Sequence, residues 1–247
     1  MALHFLLDDA ADAVPGGLVV LTGAEAHHAA TVRRVRVGED VTVGDGRGVW
    51  ARGVCETVAP REVTVRIAER DDVPPASPRV VLAQALAKGD RDELAVQAAT
   101  ELGVAAVIPW QATRSVSRWD AAKTAKGRAR WAGIVREAAK QAHRAWVPDV
   151  EDALSTAALA RRIDGVAALV LEPTAQERLT ARVRELAAAG ATEIVLIVGP
   201  EGGIDPAEIA TLVAAGARAV RMGDSVLRTS TAGPAAIAAL DVALGRW

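Results

Sequence analysis

The stretch IVLIVGPEGGIDPAEI, residues 194–209, joins an apolar run to a helix start through a loop with glycine at three of five positions. Residues 193–198 read as a strand, because a short run of branched apolar residues suits a strand buried on both faces. Asp205 stands at an N-cap position, Pro206 at the first helical position and Glu208 where an Asp-type capping box would close. Between them, the glycines of Gly199-Pro200-Glu201-Gly202-Gly203 let backbone approach a ligand and tolerate positive φ. The loop lacks the Lys-Ser/Thr of a P-loop and the spacing of a dinucleotide fingerprint. Glu201 and Asp205 would also repel a pyrophosphate at that helix start. A ligand with hydroxyl or ammonium groups suits those carboxylates better. A tight strand-to-helix turn explains one glycine; three favour a loop that faces a ligand.

The same rhythm runs through the rest of the C-terminal part. Strands are expected over residues 79–86, 104–110, 166–173 and 217–222, and helices over 90–103, about 120–145, 175–190 and 235–244. Alternation of buried strands and helices predicts an α/β domain with a parallel sheet, whose ligands bind beyond the carboxyl ends of the strands. The loops at 171–174, 199–203 and 222–229 therefore carry the candidate site. In the last of them, Val226 and Leu227 are apolar where a solvated loop would be polar, which suits a cover for a flat heterocycle. Arg228 follows, among Thr229, Ser230 and Thr231; Thr231 would equally serve as a helix cap.

The segment DDVPPASPRV, residues 71–80, sets three prolines within five positions and marks a domain boundary. Before it, valine-rich runs alternate with turns, and Asp45-Gly46 is a hairpin signal. Residues 1–73 are expected to form a small β-barrel with one helix over 25–37, and residues 79–247 the α/β domain.

Composition narrows the class. Of 247 residues, 51% are hydrophobic and 24% charged, enough for a packed core and unlike a disordered chain. No apolar run approaches the roughly 18 residues of a membrane span, and the N-terminus does not read as a signal peptide. A lone Cys55 excludes an internal disulfide and a cysteine metal cluster, so no metal and a cytoplasmic setting are expected. Net charge is uneven: residues 1–72 carry −4, residues 79–148 carry +6 and residues 149–247 carry −4. Clustered Lys and Arg in the middle suit a polyanion, although a solvated helix face would leave the same count.

Four separated motifs together resemble the SPOUT class of S-adenosylmethionine-dependent RNA methyltransferases, and within it the ribosomal RNA small subunit methyltransferase E family. They are GPEGG with GDSVLRTSTA (residues 223–232), QALAKGDRDELAVQAATELGVAAVIPWQATRSV (84–116), RWAGIVREAAKQAHRAWVPDV (130–150) and HHAATVRRVRVGEDVTVGDGRG (27–48). The resemblance implies a C-terminal SPOUT domain with a trefoil knot behind a PUA-like β-barrel, and a homodimer. It implies methylation at N3 of one uridine in 16S rRNA of the small subunit, with S-adenosylmethionine as cofactor. The cofactor would be held by Leu171, Glu172, Pro173, Gly199, Pro200, Glu201, Gly202, Gly203, Met222, Gly223, Val226, Leu227 and Thr229. One departure stands out: Ser230 replaces a glutamate common in the family.

Arg228 is the catalytic candidate for stabilising charge on the uracil carbonyls, and Glu201 the candidate for a polar contact to cofactor or target, with no firmer role assigned. Lys88, Arg91 and Arg114 follow strand ends and are candidates for RNA phosphates. Gln141 and Arg144, placed i and i+3 on the expected helix, would share an RNA-facing side, and Arg34 belongs to the N-terminal module. His27, His28 and His143 lack metal-ligand spacing. A non-catalytic RNA-binding factor is the rival reading.

Overall fold

The computed structural model describes residues 3–247. They form two compact units: residues up to Pro75 together with Ala139–Val147, and Ala76–Ala138 together with Pro148–Trp247.

In the first unit, strands β1 (Leu3–Leu6), β2 (Leu18–Thr22), β3 (Asp40–Gly44), β4 (Val49–Ala59) and β5 (Glu62–Asp72) make one sheet in the order β1-β3-β4-β5-β2. The β1–β3 pair is parallel and the others antiparallel. Alternation decides which face is buried: Val19 and Leu21 of β2 and Val63, Val65 and Ile67 of β5 point into one core with Phe5, Val41 and Val43. Its edges, β1 and β2, do not pair among the described residues, so the expected barrel is a curled half-barrel. The Asp45 carboxylate turns β3 into β4 by accepting the N–H groups of Arg47 (2.7 Å) and Val49 (3.0 Å). Helix α1 (Gly23–His27) runs on into a single wide π turn over His28–Val32.

His4 of β1 is buried, stacked on Trp50 with ring centroids 4.3 Å apart, and its Nδ1 bonds the Thr42 hydroxyl at 2.9 Å. Burial, together with the nearby His143 and Lys140, pushes its pKa down to about 3.

The second unit is a parallel sheet. Its long strands are β6 (Arg79–Ala85), β7 (Ala106–Gln111), β10 (Ala167–Leu171), β12 (Glu193–Val198) and β13 (Arg218–Arg221). With the short strands β8 (Asp149–Val150), β9 (Leu154–Ser155) and β11 (Glu177–Arg178), the order is β11-β13-β10-β12-β6-β7-β8, and β9 also pairs β7. Every residue of β6 after Arg79 and of β12 after Glu193 is buried, as both faces of a covered parallel sheet require. On one face, α4 (Thr156–Arg162) and α6 (Pro206–Ala214) pack Leu159, Ile163 and Leu212 against Val81, Ala83, Ile108 and Val195. The alternate residues face α7 (Thr229–Ala243), whose Gly233 lies so close to Leu82 that an added Cβ would meet it at 3.0 Å. Helices α2 (Arg91–Glu101) and α5 (Leu179–Ala188) pack beside α7.

Three features differ from the reading of the sequence. The long helix α3 (Ala121–Gln141) stops earlier, because His143 takes a left-handed φ of 53° and Arg144 N–H turns back to the Ala139 carbonyl at 2.9 Å. Arg144 therefore lies past the helix and shares no helical face with Gln141. Helix α4, preceded by the Ser155 side-chain cap, has no counterpart among the expected elements. Helix α7 begins at Thr229, earlier than expected, and contains Pro234.

Candidate functional site

The strand order turns back at β6 and β12, so the carboxyl ends of β10, β12 and β13 leave a crevice beside them. A cavity of about 500 Å³ lies there, within the range of small-molecule sites. Leu171, Glu172 and Pro173 line it after β10, Gly199, Pro200, Glu201 and Gly203 after β12, and Met222, Gly223, Val226, Leu227, Arg228 and Thr229 after β13. Three loops distant in sequence thus surround one volume. Arg91, Val198, Ile204, Val220, Arg221, Ser225 and Ala232 complete the wall; of these, the sequence singles out only Arg91, as a candidate for RNA phosphates.

The glycines of the 199–203 loop have separate reasons. Gly203 has φ of +72°, where a side chain would be strained. A Cβ on Gly199 would come within 2.5 Å of Ile204 Cγ1, so the turn can close only over glycine. Gly202 faces Arg114 and is not part of the cavity wall. Beyond the loop the capping box forms as expected: Asp205 accepts the Ala207 N–H at 3.0 Å, and Glu208 accepts the Asp205 N–H at 3.4 Å.

Glu208 also ties this loop to the rest of the sheet. Its buried carboxylate accepts the Thr113 N–H at 2.9 Å and a short hydrogen bond from the Thr156 hydroxyl. Trp110 Nε1 in turn donates to that hydroxyl at 3.2 Å.

The two acidic residues read as repelling phosphate are each answered by an arginine. Arg91 donates to Glu201 Oε1 at 2.8 Å, beside the Lys88 backbone N–H at 3.0 Å. Arg114 reaches Asp205 at 3.1 Å and the Gly202 carbonyl at 3.3 Å. Burial opposes charge on Glu201, but hydrogen bonds from its own backbone, Arg91 and Lys88 prevail and hold its carboxyl below the usual range. Arg221 pairs with Asp224 at 3.2 Å. Among the described residues, the exposed Arg228 side chain has no ion-pair or hydrogen-bond partner. Of the cavity's three arginines it is the uncommitted one.

Thr229 is buried, and its hydroxyl donates to the Gly199 carbonyl at 2.8 Å. Val226 is 77% and Leu227 38% exposed at the rim. Ser230 is half-buried in the first turn of α7. Arg34, with φ of 54°, Gln141 and Arg144 belong to the first unit, whereas Lys88, Arg91 and Arg114 belong to the second. No group of His, Cys, Asp and Glu among the described residues is arranged to hold a metal, and no described helix is long and apolar enough to cross a membrane.

Residues 75–241 match the family described as "RNA methyltransferase domain", and residues 21–68 match "RNA methyltransferase PUA domain". Ribosomal RNA small subunit methyltransferase E of Mycobacterium bovis is 46% identical over 252 residues, covering 100% of this chain and 94% of its own length. The Bacillus subtilis protein of the same name is 34% identical over 89% of this chain and 88% of its own. Ribosomal RNA small subunit methyltransferase E of Neisseria gonorrhoeae, whose crystal structure is bound to S-adenosyl methionine, superposes with a TM-score of 0.84 at 30% identity, covering 98% of each chain. A parallel sheet with its cavity at the strand ends, following a PUA-like half-barrel in the chain, defines a methyltransferase of the SPOUT class. The chain belongs to the ribosomal RNA small subunit methyltransferase E family.

Proposed function

We propose that the protein transfers a methyl group from S-adenosylmethionine to N3 of a uridine in 16S ribosomal RNA. The observation that carries this reading is the unpaired Arg228 on the wall of a cavity built from three strand-end loops. The cavity fits the cofactor's chemistry. Leu171, Ile204, Val226 and Leu227 offer apolar surface to a flat base, and Gly203 and Gly223 leave open space where a Cβ would stand. Glu172 offers a carboxylate to hydroxyl or ammonium groups. S-adenosylmethionine supplies a methyl group activated by its sulfonium.

The chain's residues supply alignment and charge. N3 lies on the Watson–Crick edge, so the target base must be unpaired or flipped out to reach the site. Arg228 stabilises the negative charge that collects on the uracil carbonyls as the N3 proton passes to solvent water; the N3–methyl bond then replaces the sulfonium–methyl bond, and a neutral thioether is left. Glu201, engaged by Arg91 and Lys88 and less basic than an ordinary carboxylate, acts as a brace for the rim and not as the proton acceptor. Lys88 extends from that rim toward RNA phosphates, and Arg34, Gln141 and Arg144 serve the same partner from the PUA-like unit. The exposed Val226 and Leu227 suit a homodimer in which a second copy covers the rim. The setting is cytoplasmic, where small-subunit RNA is found. The knot expected of the class would fall where the chain runs from β13 back to α7, whose first residue bonds Gly199 beyond β10.

Calorimetry with S-adenosylmethionine, followed by mass spectrometry of ribosomal RNA from cells lacking the protein, tests the reading. Cofactor binding and one missing 3-methyluridine are expected. Absence of cofactor binding would favour a non-catalytic RNA-binding factor instead.

A further inference from the structure

Gln84 is wholly buried near the end of β6, in register with Val198 of β12 and Pro109 of β7, and it does not line the cavity. Its strand neighbours Leu82, Ala83 and Ala85 are apolar, and an apolar side chain would fill the same space. Its amide nitrogen instead donates to the Ala85 carbonyl at 3.2 Å and to the Thr229 hydroxyl at 2.8 Å. The Thr229 hydroxyl then donates to the Gly199 carbonyl at 2.8 Å. Donors and acceptors permit one direction only. Reversing the amide would set its oxygen against the Ala85 carbonyl and against a hydroxyl whose proton is already given to Gly199.

In this orientation Gln84 Oε1 is buried with no donor among the described residues. A buried acceptor left unmet opposes folding, so the fold tolerates a penalty to place the amide nitrogen at this point. What that nitrogen reaches is the first residue of α7. Arg228, the N-cap of α7, has no side-chain cap of its own, and its carbonyl accepts the Thr231 and Ala232 N–H groups at 2.9 Å each. The direction of the Arg228 side chain is therefore set by where Thr229 is fastened.

We propose that Gln84 is a positioning residue which, through the Thr229 hydroxyl, fastens the start of α7 to the Gly199 carbonyl and so sets where Arg228 stands in the cavity wall. The relay joins the loop after β12 to the start of α7, and Gln84 itself stands behind the cavity wall. Its role rests on the methyl-transfer reading above.

A double-mutant cycle tests it. Gln84→Met and Thr229→Val each keep the shape and remove one link. Each is expected to lower single-turnover rate at saturating RNA and cofactor on the order of 10- to 100-fold, the scale of a small misplacement at a reacting centre. In Gln84→Met, S-adenosylmethionine affinity should move much less, because Gln84 does not line the cavity. The double variant should be no slower than the worse single one, and Gln84→Met should cost nothing further in an Arg228→Ala background. Thr229→Ser should recover what Thr229→Val loses. Unchanged turnover in Gln84→Met, or losses that add across the cycle, would overturn the relay. Equal losses of rate, cofactor affinity and thermal stability would also overturn it, by making Gln84 merely structural. The wild-type protein is the control: if it transfers no methyl group, the methyl-transfer reading fails and not the relay alone.

Discussion

Arg91 Nη1 lies 2.8 Å from Glu201 Oε1, joining the first residue of α2 to the loop after β12 in the cavity wall. Both side chains are partly solvated, so the pair adds modestly to stability, at most about 1 kcal/mol. Its larger consequence is chemical. The carboxyl is held below the ordinary range, so it stays ionised above that range and is protonated only as pH falls through the lowered value. A Glu201→Gln variant should therefore lose only a few-fold in turnover, and the wild-type pH–rate profile should show no limb from this carboxyl at neutral pH. A rate loss of several orders of magnitude in Glu201→Gln would make Glu201 the base after all.

Removal of Arg228 should act on the chemical step. With no protein partner to release, Arg228→Ala is expected to cost on the order of 10²- to 10³-fold in turnover, as loss of one charge-stabilising donor does. Cofactor affinity measured by calorimetry should change little.

Affinity for RNA should fall with added salt, and the slope should depend on which cation is removed. Lys88 is exposed, and among the described residues its ammonium has no partner, so Lys88→Ala should flatten the log–log slope by about one. Arg91 and Arg114 are already neutralised by Glu201 and Asp205, so their alanine variants should flatten it less. Filter binding across a salt series distinguishes these outcomes.

Glu208→Ala should destabilise the α/β unit by about 1–2 kcal/mol, because it removes a buried carboxylate and leaves the Thr113 and Asp205 N–H groups and the Thr156 hydroxyl without that acceptor in a partly solvated place. Urea denaturation should show the midpoint falling with little change in slope.

Acid should weaken the half-barrel through His4. Its pKa is about 3 in the folded protein against 6.5 for the ordinary group, so the unfolded chain binds the extra proton first. Stability contributed by neutral His4 is complete above pH 6.5 and is lost as pH falls from there toward 3, by up to about 1.4 kcal/mol per unit. Urea midpoints should fall across that window, and His4→Leu should flatten the dependence.

Much of this was legible in the chain. The apolar run at 193–198 and the Asp205–Glu208 cap follow local rules, so strand β12 and the start of α6 came out at their observed positions. The loops at 171–174, 199–203 and 222–229 were found because a parallel sheet puts its ligand loops at strand ends. What failed was non-local. The last helix was expected over 235–244, yet α7 starts at Thr229 and runs through Gly233 and Pro234, packed against Leu82. The end of α3 depends on His143 adopting a positive φ, which only a few per cent of non-glycine residues do. Pairing of Glu201 and Asp205 with arginines about a hundred residues earlier left no local signal, and neither did the Gln84–Thr229 contact.

The solitary state of Arg228 bears on how a nucleic acid finds the site. Arg91 and Arg221 each face a carboxylate, so among the described arginines that line the cleft Arg228 alone offers the field of an unopposed positive charge. A cleft with low-dielectric walls concentrates such a field along its axis. An electron-rich base edge is then drawn and turned toward Arg228 inside the cleft, while the phosphate backbone meets Lys88 outside it. Neutralising the neighbours is thus a means of aiming.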